Sequence, residues 1–221
     1  MEKFAPKYRG GAWPAGGVLH IYVCPRAGVD DELLELAQRC RSSIGEYPID
    51  PQYPAAPGDP GWLHLTVEMI ADAPTAEISD EEKAKLVGEL TQELSGLPPF
   101  GTEVGPPIGN VAGCVLDVWP EDQVRELEHR VRAAVVRARG EDAIQHSGGR
   151  PHISLGYSYA AASSDKLNGE LRNTVVPRRA PLLIDRVHLM DVTWTEQPIG
   201  PDGTLGWQMT WTSVAEIPLA G

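Results

Sequence analysis

With 31 acidic against 19 basic side chains, this chain of 221 residues carries a formal net charge of −12. That balance opposes a protein that holds long nucleic acid by phosphate contacts, since such affinity comes from cationic side chains displacing counterions. The length suits one large domain or two small lobes, able to bury roughly 70% of the unfolded surface.

The first 17 residues are polar and rich in Gly and Pro, without the apolar core of a signal peptide, and read as a flexible arm ahead of a single domain over residues 18–221. Residues 18–23 then alternate as a strand, with Leu19, Ile21 and Val23 on one side and His20 and Tyr22 on the other. Residues 30–44 read as a helix with Leu33, Leu34, Leu36 and Ala37 as its apolar stripe. Five prolines (48, 51, 54, 57 and 60) make 45–61 a long loop, which leads into a strand over 62–70. Loops of that length next to a site often shape or cover it, while many others are only solvated connections.

Ser79, with Glu82 three residues on, opens a second helix as a capping box, and Pro98-Pro99 closes it. Strands follow over 100–104 and 111–119. The helix over 121–139 starts acidic, ends in arginines and stops at Gly140. A strand over 152–159, a helix over 163–174 and strands over 182–194 and 207–217 complete the chain. Helices mixed with runs of strands imply an α+β fold, not a doubly wound parallel sheet. Cys24, Cys40 and Cys114 show no Cys-x-x-Cys spacing, so buried free thiols in a reducing compartment are expected. No apolar run approaches a membrane span. A cytoplasmic monomer without a membrane partner is the expectation.

One tripeptide pattern occurs twice. Leu63-His64-Leu65-Thr66-Val67-Glu68-Met69 and Pro151-His152-Ile153-Ser154-Leu155-Gly156-Tyr157 both alternate apolar and polar residues around His-x-Thr/Ser. A side-chain period of two puts His64 and Thr66 on one sheet face, and His152 and Ser154 likewise. Imidazole is the side chain best suited to move protons near neutral pH. Two imidazoles on opposite sides of a phosphorus atom can divide the work, one taking a proton from water and the other giving one to the leaving oxygen. The Thr66 and Ser154 hydroxyls could donate to non-bridging phosphoryl oxygens, where charge builds up in the transition state. This chemistry calls for no metal and no cofactor.

In these residues the chain resembles the two-histidine phosphoesterase superfamily, of the 2′-5′ RNA ligase-like (LigT) type, from about residue 18 onward. The resemblance implies a bilobal, pseudo-twofold duplication of antiparallel sheets with outer helices around a central cleft. It implies hydrolysis of a 2′,3′-cyclic phosphate or related nucleotide diester, with a small nucleotide or RNA end as substrate. His64 and His152 match the catalytic histidines, and Thr66 and Ser154 the phosphate-binding hydroxyls. Relatives of the bacterial ligase-like type often carry a basic residue soon after the second motif, where this chain has Gly156-Tyr157-Ser158. Arg150 is then the candidate phosphate cation. Two rivals stand beside this reading: a nucleotide-binding module without turnover, and a phosphoesterase for a non-nucleotide small molecule.

Other residues draw weaker expectations. His20 and Tyr22 share a strand face and are candidates to line the cleft. Trp62 has the parity of His64 and is the better candidate to stack on a base, whereas Tyr157 has the parity of Ile153 and Leu155 and belongs with the core. His129 lies off the apolar stripe of its helix, on the surface. His146, in the polar loop before the second motif, and His188, on a late strand, complete the histidines.

Overall fold

Among the described residues, apolar side chains at alternate strand positions and at helical spacing build one large curled antiparallel sheet with four α-helices packed on it, beside a two-stranded hairpin. The computed structural model describes residues 1–144 and 149–220, so His146 lies outside the described residues. The strands are β1 (Lys7–Tyr8), β2 (Gly11–Ala12), β3 (Gly17–Val23), β4 (Ile49–Pro51), β5 (Leu65–Met69), β6 (Phe100–Gly109), β7 (Gly113–Trp119), β8 (His152–Ser158), β9 (Ala180–Ile184), β10 (Arg186–Pro198) and β11 (Leu205–Pro218). The helices are α1 (Asp31–Gly45), α2 (Asp80–Leu94), α3 (Asp122–Arg139) and α4 (Ser164–Thr174).

The large sheet runs β11-β10-β3-β5-β8-β7-β6-β9, with β4 paired to β8 off that path. Its two halves meet where β5 and β8 run antiparallel, joined by the pair Leu65–Ile153. Those are the central residues of the two motifs. Counting outward from this pair, β3 answers β7, β10 answers β6 and β11 answers β9, which is the duplication the repeated pattern implied.

The helices bury stripes spaced three and four residues apart: Leu86, Leu90 and Leu94 in α2, and Val124, Leu127, Val131 and Val135 in α3. The capping box forms as expected: Ser79 Oγ accepts from the Glu82 N–H at 3.2 Å and Glu82 accepts from the Ser79 N–H at 2.8 Å. α2 and α3 pack together, against β11 and β5, while α1 and α4 pack together against β4, β9 and β6. Each half thus lies on helices that follow strands of both halves.

Two expectations need correction. The single strand expected over 182–194 is two: β9 pairs with β6 and β10 with β3, at well-separated places in the sheet, and Asp185 marks the break. The carboxylate of Asp185 is held there by Arg26 at 2.8 Å and Arg186 at 3.0 Å. The proline-rich loop is ordered as part of the sheet: β4 within it pairs with β8, and the Gln52 N–H donates to the Leu155 carbonyl at 2.9 Å.

The segment 1–17, expected to be a flexible arm, is docked. Met1, Glu2 and Phe4 donate backbone hydrogens to the carbonyls of Ala162 at 2.8 Å, Val111 at 2.7 Å and Ser158 at 2.7 Å. Beyond that, β1 and β2 close a small hairpin and Gly17 already belongs to β3. Composition alone read this segment as polar; its few large side chains, Phe4 and Trp13, find aromatic partners only across the folded sheet.

Candidate active site

Both motif histidines open into one cavity of about 530 Å³, lined also by Thr66 and Ser154. The antiparallel pairing at Leu65–Ile153 sets the two motifs head to tail, so His64 neighbours Ser154 and Thr66 neighbours His152. Each imidazole is oriented the same way. His64 Nδ1 lies 2.8 Å from the Trp62 carbonyl, and His152 Nδ1 lies 2.8 Å from the Arg150 carbonyl. A carbonyl only accepts, so Nδ1 carries the proton in both rings and Nε2 is left for chemistry.

The two rings differ in environment. His64 is 4% exposed, its ring stacked on Tyr22 at 4.2 Å and meeting the Trp211 edge at 5.5 Å. Burial pushes His64 down to about 4; the Trp62 carbonyl opposes that shift and the charge of His152 adds to it. His152 is half-buried. At neutral pH His64 is therefore a neutral imidazole with an open Nε2.

Each motif strand carries a bulge directly after its hydroxyl residue. In β5 the register runs Tyr22–Thr66 and then Ile21–Glu68, which leaves Val67 unpaired. In β8 it runs Val115–Ser154 and then Cys114–Gly156, which leaves Leu155 unpaired. An extra residue reverses the facing of everything beyond it. This overturns the parity assignment of Tyr157: its ring lines the cavity, 4.3 Å from Phe4 and 5.0 Å from Trp194.

Beyond the other bulge, Glu68 borders the same cavity on its α3 side. There its carboxylate, 1% exposed, meets Arg132 Nε at 2.5 Å. The reversal also gives the site a second symmetric feature. Tyr22 is the cross-strand partner of Thr66, and Tyr157 follows Ser154 on β8, so each motif hydroxyl has a phenol in its neighbourhood. Burial raises both phenols, Tyr157 to about 12, so both stay protonated near neutral pH.

The remaining candidates divide. His20 and Tyr22 line the cavity, and His20 Nδ1 lies 3.0 Å from the Val18 carbonyl. Trp62 does not line it; its ring meets Trp211 edge-on at 4.8 Å, and it borders a separate recess with Gln208. The strand begins at Leu65, so alternation does not extend back to Trp62. Arg150 lines the cavity mouth, but its guanidinium is shared between Asp117 at 3.2 Å and Glu121 at 3.4 Å. His188 lies outside the cavity, buried on β10 with Nδ1 3.8 Å from Glu216.

Sequence reasoning missed Tyr157, Trp194, Arg125, Glu128 and the arm residues Phe4, Lys7 and Trp13, all of which line the cavity. For Tyr157 a signal existed: a lone glycine inside a strand pattern marks a bulge, and Gly156 is that glycine.

A curled sheet that presents two His-x-Thr/Ser strands to one cleft defines the two-histidine phosphoesterase class. The chain belongs to the 2′-5′ RNA ligase superfamily, whose family model matches residues 29–193. The fold is similar to that of TT0787 of Thermus thermophilus, with 19% identity and a TM-score of 0.60 over 92% of this chain and 98% of that one. It is also similar to E. coli LigT complexed with 3′-AMP, with 14% identity and a TM-score of 0.59 over 93% of this chain and 99% of that one. A structure described as a phosphoesterase matches at 15% identity and a TM-score of 0.58, over 93% of this chain and 99% of that one. No curated protein sequence matches the chain.

Proposed function

We propose that this protein hydrolyses a 2′,3′-cyclic phosphate, or a closely related nucleotide phosphodiester, by acid–base catalysis between His64 and His152. The observation that carries the reading is the symmetric pair of imidazoles, each with Nδ1–H tied to the carbonyl two residues back and Nε2 left to the shared cavity. Membership in the 2′-5′ RNA ligase superfamily supports the reaction class. A solved relative of the same fold holding 3′-AMP supports a nucleotide-sized substrate.

His64 serves as the base, because its burial keeps the ring neutral and its Nε2 able to accept. Water gives that nitrogen a proton as its oxygen bonds to phosphorus. The bond from phosphorus to one ribose oxygen breaks, and His152, entering as the imidazolium with its Nδ1–H kept on the Arg150 carbonyl, gives its Nε2 proton to the departing oxygen and ends neutral. An anionic phosphoryl group between the rings favours their charged forms, which draws the transferred proton onto His64. Thr66 and Ser154 donate to the non-bridging oxygens. The family's habit favours a 2′-phosphate product.

Hydrolysis of a panel of nucleoside 2′,3′-cyclic phosphates in EDTA, comparing wild type with the His64→Ala/His152→Ala double variant, tests this. Phosphomonoester formed by the wild type alone is the expected result. Equal turnover by both proteins would sink the acid–base pair, and a complete zinc-reversible loss in EDTA would replace it with metal chemistry.

A further inference from the structure

The two motifs supply imidazoles and hydroxyls for a phosphate but no guanidinium or ammonium, and the arginines that line the cavity are occupied. Arg150 is shared between Asp117 and Glu121. Arg125, on α3, is held by Glu121 at 2.9 Å and Glu128 at 2.8 Å. Lys7 is different. It lines the same cavity from β1, is exposed, and has no carboxylate within 4.0 Å among the described residues. An unpaired ammonium in a cleft of a protein with net charge −12 is a local positive site on an acidic body, suited to an anionic ligand.

The arm that carries Lys7 also contributes rings to the cavity. Phe4 packs on Tyr157 at 4.3 Å and on Trp194 at 5.1 Å, while Trp13 stacks over His20 at 5.9 Å. All these rings line the cavity. The arm is held to the sheet by the backbone of Glu2 and Phe4, so these groups are positioned before any ligand arrives. It lies outside residues 29–193, the part of the chain that matches the family model.

We infer that the N-terminal arm is a substrate-binding element of the cleft: Lys7 answers the phosphate charge, and Phe4 with Trp13 walls in the flat ring of a nucleobase. The ligand class is a mononucleotide, in which one phosphate and one aromatic heterocycle are both recognised. This rests on the reading of the cleft as a nucleotide phosphodiesterase site, and separates from it by measuring binding apart from turnover.

The test is calorimetric titration of wild type, Lys7→Met, Lys7→Arg and Trp13→Leu with inorganic phosphate, adenosine and adenosine 2′-monophosphate, each protein also assayed for cyclic-phosphate hydrolysis. Lys7→Met should weaken the nucleotide by about tenfold and weaken phosphate, leave adenosine unaffected, and lose its deficit at high salt. Lys7→Arg should recover most of the loss. Trp13→Leu should weaken nucleotide and adenosine by about fivefold or more, but not phosphate. In turnover the losses should fall on KM rather than kcat.

Unchanged nucleotide affinity in both Lys7→Met and Trp13→Leu overturns the inference whatever the activity. So does an equal loss across all three ligands, which a collapsed cleft would give. Wild type that binds the nucleotide with the ligand pattern above, yet never turns over a cyclic phosphate, upholds the arm's role and overturns the catalytic reading alone. Wild type that binds no nucleotide overturns both.

Discussion

His64 is a buried base in the literal sense: 4% exposed, stacked on Tyr22 and held by one carbonyl. Replacing it, or His152, by Ala should lower kcat by at least about 100-fold with the melting transition retained; near-normal turnover in either variant would end the division of labour proposed here. Burial of His64 also has a thermodynamic signature. Its folded pKa, about 4, lies below the ordinary histidine value of 6.5. Between those two values the unfolded chain binds a proton that the folded chain does not. Stability from this group is therefore fully present above pH 6.5 and is lost as the pH falls toward 4. The loss should amount to roughly 3 kcal/mol. Urea unfolding at stepped pH should show a flatter acid limb in His64→Gln than in wild type, and parallel limbs would contradict the neutral buried ring.

Paired bulges do most to shape the site among its elements. Leu155 is the extra residue of β8, and its carbonyl is satisfied by the Gln52 N–H at 2.9 Å. Beside it, Gly156 lets β4 approach closely: a Cβ there would sit 2.7 Å from the Asp50 carbonyl and 2.6 Å from the Ile49 side chain. Gly156→Ala should therefore cost about 2 kcal/mol of stability, read as a shift of the denaturant midpoint at constant slope. The bulge in β5 has a different dependence, because it delivers Glu68 to Arg132 on α3 at 2.5 Å. Arg132→Met would leave that carboxylate buried without its guanidinium, and should cost about 3 kcal/mol or more. Glu68→Gln combined with Arg132→Met should recover part of the loss; a double variant no better than Arg132→Met would show that the pair is not what the bulge serves.

At the scale of the molecule, the two halves of the sheet are related in pattern but not independent. α1 follows β3 in the first half yet packs against β9 in the second, and α3 follows β7 in the second half yet packs against β5 in the first. Neither half closes its core with its own helices alone. Unfolding should accordingly be a single transition, with tryptophan fluorescence and far-ultraviolet circular dichroism coinciding; two resolved transitions would show separable lobes. The docked arm adds a third contributor, since Met1, Glu2 and Phe4 bind beside the end of β8 and at the turn beyond it.

The sequence by itself determined the motif strands, the four helices, the α+β class and the four side chains His64, Thr66, His152 and Ser154 that share the cavity. These follow from local rules: a period of two, a stripe at helical spacing, a capping box and a helix-ending glycine. Only the tertiary structure decided the rest. Tyr157 faces the cleft because a bulge interrupts the alternation; Gly156 signals a bulge in the strand, and only the register with β7 places the extra residue at Leu155. Segment 182–194 splits because its two ends find partners, β6 and β3, in different halves of the sheet. Charge on Arg150 is shared because Asp117 and Glu121, distant in sequence, converge on it. The arm binds because its aromatic partners exist only once the two halves have met. Pairing between distant segments is a non-local property, so no window of sequence could show which of the two imidazoles would be the more deeply buried.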